Sequence, residues 1–169
     1  MAVLKKYIAL VASLNTVLGK AASFTIIVFM LFLSYEVVCR YFFNSPTIWA
    51  HELSGFIFAA YLALTGPWVL LRKEHVSVDI IYSRYSPRTR DIADIFTNLL
   101  TIFFFAVLLY IGGKNALHAI TTQQVSYSVW GPPLGPVRAM IPLAAFLFLV
   151  QALANLFENI IRLKETPSE

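Results

Sequence analysis

Ser54 to Leu71 runs without one charged side chain. As a helix it is long enough to cross the hydrocarbon of a bilayer, which takes about 20 residues at a rise of about 1.5 Å each. Just before it lies a polar, turn-forming corner rimmed by aromatic residues: Tyr41, Phe42 and Phe43, then Asn44-Ser45-Pro46, then Trp49. Such a corner suits a membrane surface that feeds a spanning helix. Three further apolar segments repeat the pattern. The chain is 59% hydrophobic and only 13% charged, against about 45–50% and about 25% in soluble domains. Too little polar surface is available to coat a globule in water.

The expected fold is an all-α integral membrane protein in one domain, residues 1–169. Four transmembrane helices are expected at about 21–39, 49–71, 95–113 and 138–157. An amphipathic segment at about 3–20 carries Tyr7, Ile8, Val11, Leu14 and Leu18 on one face. It reads as an interfacial helix or as an extension of the first span. Gly66-Pro67 falls in the last turns of the second span, where proline usually kinks a helix. Gly112-Gly113 is a natural stop for the third. The connection between spans two and three contains HVSVDIIYSRY, expected along the membrane surface with Tyr82 and Tyr85 at headgroup depth. Residues 114–137, with Trp130, are expected to form a loop that touches the interface.

Orientation follows from charge. Lys5, Lys6, Lys20, Arg72, Lys73, Arg84, Arg88, Arg90, Arg162 and Lys164 fall on one side, and only Arg40, Lys114 and Arg138 on the other. The positive-inside rule places the first side, with both termini, in the cytoplasm. It also accounts for the net charge of +4 without nucleic acid, since no basic face forms. The single cysteine, Cys39, excludes an intrachain disulfide framework and a multi-cysteine metal site. Glycine-rich phosphate loops, GxSxG and HExxH are missing, so no enzyme is expected.

Ionisable residues near the membrane are costly and mark candidate sites. Glu36 and Arg40 lie four apart on one helical face, and Glu52 opens the second span. Arg40 is expected to bridge both carboxylates in a structural clasp; the alternative is an ion or proton relay. His51 and His118 raise a rival reading, a small haem-bearing membrane subunit of an oxidoreductase, although His51 lies at the outer start of the second span and His118 beyond the outer end of the third, both expected outside the hydrocarbon. Small residues Ala59, Ala60, Ala63 and Gly66 suit close helix packing, either onto a partner or within the bundle.

RYFFNSPTIWAHEL, the span after it, the RKEHVSVD run, the loop prolines, Ile141-Pro142 and Gln151 together resemble the small Q-type membrane subunit (DctQ family) of TRAP transporters, the tripartite ATP-independent periplasmic systems of bacteria. The resemblance covers about Arg40 to Gln151. It implies four helices in the bacterial inner membrane, paired with a large multi-spanning M subunit that moves as an elevator. It also implies a periplasmic substrate-binding protein, surrounding lipids, no cofactor, and sodium-coupled import of a carboxylate such as a dicarboxylate, a sialic acid or another sugar acid. Arg40, Asn44, Pro46, Trp49 and Glu52 match the family motif by position. With Glu36 and Trp130 they are the structural and partner-contact candidates. Many members carry an acidic residue before the glutamate, where this chain has His51.

Overall fold

A computed structural model describes residues 2–72 and 87–165. Four helices account for most of them: α1 (Ala2–Tyr41), α2 (Ala50–Leu71), α3 (Pro87–Thr121) and α4 (Gly135–Glu165). Each is long and apolar enough to cross a membrane. The expected surface segment with Tyr82 and Tyr85, and His75 beside it, lies outside the described residues.

Helix α4 is the hub. It packs along α3, α2 and α1, and α1 also packs along α2. Helix α3 leans chiefly on α4, so the arrangement is a three-helix core with an outrigger. The end where α1 stops and α2 starts, joined there by the α3–α4 loop, is called the corner end below. The other end carries both termini.

Helix α1 is one unbroken helix of 40 residues, about 60 Å long and so twice the thickness of the hydrocarbon. Residues 3–20 are therefore continuous with the span at 21–39. Their inward face is specific: Val11 and Asn15 are buried while Leu10, Leu14 and Val17 are exposed. The Tyr7 ring meets Phe157 edge-on at 6.2 Å, and its hydroxyl donates to the Val150 carbonyl at 3.1 Å.

The buried positions are mostly small or polar. Ala22, Ala50, Ala63, Ala116, Ala119, Ala145, Ala152 and Ala154 are buried, whereas Phe, Leu and Ile side chains crowd the outside. In lipid there is no hydrophobic force to draw large side chains inward, so helices associate through small residues that let backbones approach. Gly19 shows this at the Trp68 side chain, whose nearest atom would lie 2.5 Å from an added Cβ. Gly66 shows it at Phe148, at 2.4 Å. The small residues Ala63 and Gly66 thus pack within the bundle.

One turn expectation is corrected. Gly112-Gly113 does not stop α3, which continues to Thr121. Gly112 instead lets Ile141 and Pro142 of α4 come close, the nearest atom at 2.9 Å from an added Cβ. Pro67 is buried inside α2, and the helix runs on to Leu71. Pro142 likewise lies inside α4.

Candidate functional site

Helix α1 ends because Asn44 takes a left-handed conformation (φ 48°), which asparagine tolerates better than most residues. That turn lets the Ser45 N–H reach back to the Cys39 carbonyl at 3.0 Å, satisfying an acceptor that would otherwise be orphaned. Pro46 follows, with φ fixed by its ring and no N–H of its own to satisfy. Thr47 is delivered onto Glu36, its backbone N–H and its hydroxyl both donating to Oε2, the former at 3.1 Å. Arg40 donates to the other carboxylate oxygen from Nε at 3.1 Å and from Nη2 at 2.6 Å. Glu36 is only 6% exposed, and four donors make that burial tolerable.

Trp49 follows. Its ring stacks on Tyr35 at 6.2 Å and meets Phe32 edge-on at 5.9 Å. The corner is therefore closed by one carboxylate on its polar side and by three rings on its apolar side.

The expected clasp is corrected here. Among the described residues Arg40 pairs with Glu36 and not with Glu52. Glu52 turns to the α3–α4 loop, accepting from the hydroxyls of Ser126 and Ser128, the latter at 2.6 Å. Spacing explains the Arg40–Glu36 pair, since residues four apart share a helix face. It gives no reach to Glu52, which starts a new helix and meets a loop more than seventy residues away.

That loop is an ordered hairpin-like strap. Val125 bridges Pro133, the Ser126 N–H bonds the Pro132 carbonyl at 2.9 Å, and the Leu134 N–H bonds the Gln124 carbonyl at 2.8 Å. Gln123 and Gly131 supply positive φ at its bends. Arg138 Nη1 holds the Gln124 side chain at 2.6 Å. Trp130 lies over Phe56 of α2 with ring centroids 6.3 Å apart. Tyr127 and Val129, at the tip, are fully exposed. The candidate residues thus divide into two neighbouring assemblies: Glu36, Arg40, Asn44, Pro46 and Trp49 in one, Glu52 and Trp130 in the other.

A third polar assembly, toward the terminal end, was not foreseen as a network, although Gln151 figures in the family resemblance. Asn15 Nδ2 donates to Gln151 Oε1 at 2.7 Å, and Gln151 Nε2 donates to Asn155 Oδ1 at 2.8 Å. Asn155 Nδ2 reaches the Leu70 carbonyl at 3.4 Å. Arg162 bonds Asp91 and Asp94, each at 2.6 Å, and Asn159 at 3.2 Å. This ladder ties α4 to each of the other three helices. Its signal was present, since Gln151, Asn155, Asn159 and Arg162 recur at intervals of four, four and three on one face of α4.

The histidine candidates do not converge on a common pocket. His51 and His118 are both exposed, on helices α2 and α3 that share no extensive packing. No cluster of three metal-ligating side chains occurs among the described residues.

Four apolar helices around a core of alanine and amide side chains, with polar fastenings at both ends, define a small multi-pass membrane protein. The sequence supplies the kinship: residues 12–162 match the family of tripartite ATP-independent periplasmic transporters, DctQ component. The chain belongs to that family. The C4-dicarboxylate TRAP transporter small permease protein DctQ of Vibrio cholerae serotype O1 is similar to it, 28% identical over 99 residues. That match covers 59% of this chain and 42% of the relative, so the chain spans less than half of the relative's length.

Proposed function

We propose that this chain is the small permease subunit of a TRAP transporter in the bacterial inner membrane. Its work is mechanical: it packs beside the large M subunit and widens the fixed part against which that subunit's moving part slides. The large subunit carries the solute and sodium sites, and a periplasmic binding protein delivers a carboxylate, whether a dicarboxylate, a sialic acid or another sugar acid. The relative's name makes a C4-dicarboxylate the first solute to try.

The observation that carries this reading, beside the family match, is α3. None of its most apolar 18-residue stretch is buried by the rest of the chain, and Phe96, Phe103, Phe104 and Tyr110 all point outward. A helix held along one side, with large rings on the others, suits a neighbour in the membrane. Both termini are assigned to the cytoplasm by the distribution of basic residues. That puts the corner, with Glu36, Arg40, Asn44, Pro46, Trp49, Glu52 and Trp130, on the periplasmic side, where a binding protein docks.

The test is affinity purification from native membranes in mild detergent, with partners identified by mass, followed by reconstitution. A large multi-spanning partner, and uptake that requires both sodium and a soluble binding protein, are expected. A chain that travels alone and transports alone, or that carries a Soret band with redox subunits, overturns the reading.

A further inference from the structure

On α3, Leu100, Phe103, Val107, Tyr110, Lys114 and Leu117 follow one another at steps of three and four. They share one face of the helix, and all of them are exposed. Every one is aliphatic or aromatic except Lys114, a cation. Lys114 lies six residues before Ile120, which packs at Gly135 where α4 begins. It is therefore about 9 Å toward the terminal end from that level. Its Nζ sits over the Tyr110 ring, 4.4 Å from the centroid, and so leans further in the same direction. Lys114 forms no ion pair among the described residues. No acidic residue occurs between Asp94 and Glu158, and Glu52, at the corner end, is engaged by Ser126 and Ser128.

An ammonium that faces hydrocarbon is costly, and a ring beneath it offsets only part of that cost. With no carboxylate from its own chain, the counter-charge comes from outside. A lipid phosphate fits poorly, because the headgroup layer draws a flexible lysine stem outward, and this stem leans the other way. The backbone of a neighbouring helix fits no better, since its carbonyls are consumed by its own hydrogen bonds. A side-chain carboxylate remains, and an acid within a membrane needs a cation as much as the cation needs it. We propose that Lys114 is the ionic contact through which this face of α3 docks a helix of the large membrane subunit, one that presents an Asp or Glu at the same depth. The three-and-four spacing of the apolar residues around it suits a helix laid alongside at a shallow crossing angle of about 20°. The partner's identity rests on the transport reading; the face, the cation and the group that meets it do not.

The test is made on the complex as it leaves native membranes in mild detergent. A membrane-permeant carbodiimide, which joins an amine directly to a carboxylate, is expected to link Lys114 to an Asp or Glu of the large subunit, seen by mass as a branched peptide. Lys114→Met is expected to lower recovery of the large subunit with this chain at least five-fold. Lys114→Arg keeps the charge, so it retains the large subunit and loses only the crosslink. Circular dichroism establishes that each variant is folded. Full recovery of the large subunit with Lys114→Met overturns the proposal and leaves the transport reading standing, as does an intact complex in which Lys114 couples to no carboxylate. A phospholipid that is retained by the parent protein and lost from Lys114→Met, with the large subunit still bound, also overturns it, by assigning the cation to a headgroup. A parent chain that purifies without any large subunit overturns the transport reading itself.

Discussion

Removing the Gln151 side-chain amide exposes what the ladder contributes. We predict that Gln151→Met, which keeps an unbranched side chain of similar reach but neither hydrogen-bonding atom, leaves two buried groups without partners. These are Asn15 Nδ2, which donates at 2.7 Å, and Asn155 Oδ1, which accepts at 2.8 Å. Both asparagines are almost wholly buried, so water does not replace the lost partner. Each stranded amide costs about 1–3 kcal/mol in proteins generally, while side-chain hydrogen bonds between membrane helices have averaged about 0.6 kcal/mol. Two of them give about 2 kcal/mol as a working figure. At about 2–4 °C per kcal/mol for a chain of this size, the unfolding midpoint in detergent should fall by about 4–8 °C.

The second mutation is the discriminating one. Asn15→Leu alone strands only Gln151 Oε1, and it replaces asparagine by a side chain of the same heavy-atom count. Combined with Gln151→Met it strands only Asn155 Oδ1, because the Asn15 donor is gone as well. The double variant should therefore unfold at a higher temperature than Gln151→Met alone, with a coupling of about 1–2 kcal/mol in its favour, within the range found for contacting pairs. The assay is fluorescence-detected size exclusion after a heating series. If the two losses simply add, or if Gln151→Met melts with the parent protein, the ladder is not the closed network described here.

Other fastenings give separable lesions. Gly66→Ala would set a methyl 2.4 Å from Phe148, a ring already stacked on Phe105 of α3 at 4.2 Å. Overpacking of this kind costs about 1–3 kcal/mol, and Phe148→Leu in the same chain should recover most of the lost melting temperature. Arg162→Gln removes the ion pair to the buried Asp91 carboxylate, so faster proteolysis near the start of α3 is expected, with recovery on adding Asp91→Asn. Glu52→Gln loosens the 122–134 strap and Glu36→Gln the turn at 44–49. Cysteines placed at Ser128 and Ser45 should each gain labelling rate only in the variant of their own assembly. Equal gains at both sites would mean that the two carboxylates act as one clasp after all.

What sequence could reveal followed the physics of each feature. The helices were legible because length and apolarity alone decide whether a segment can cross lipid, and the corner was legible from its asparagine, proline and aromatic rim. The pairing of Glu36 with Arg40 was readable from a spacing of four. The partner of Glu52 was not, because Ser126 and Ser128 come from a distant loop whose approach depends on how α3 and α4 pack. Gly112-Gly113 read as a stop because glycine breaks helices in water. In a membrane-type core it does the opposite, by admitting α4. Asn155 and Asn159 were overlooked, and Gln151 was noted only for its match to the family, because polar residues in an apolar segment look like interruptions until their common face is counted.

The depths of the polar groups decide between a fastening and a pathway. Helix α2, with 22 residues, is about 33 Å long and close to the hydrocarbon thickness. Leu70, at its terminal end, meets Asn155, so the ladder from Gln151 to Arg162 begins within about a turn of that boundary and continues beyond it. Glu36 and Arg40 sit at the opposite boundary, about 30 Å from Asn15 along α1. Between these levels the hydroxyls of Thr16, Ser23, Thr25 and Thr65 are turned onto carbonyls of their own helices. A proton or ion path needs exchangeable groups at successive depths. Here the polar side chains gather in two bands that fix helix ends, and the long middle is left to alanine, glycine and aromatic packing. That division suits a part whose work is to stay rigid while something beside it moves.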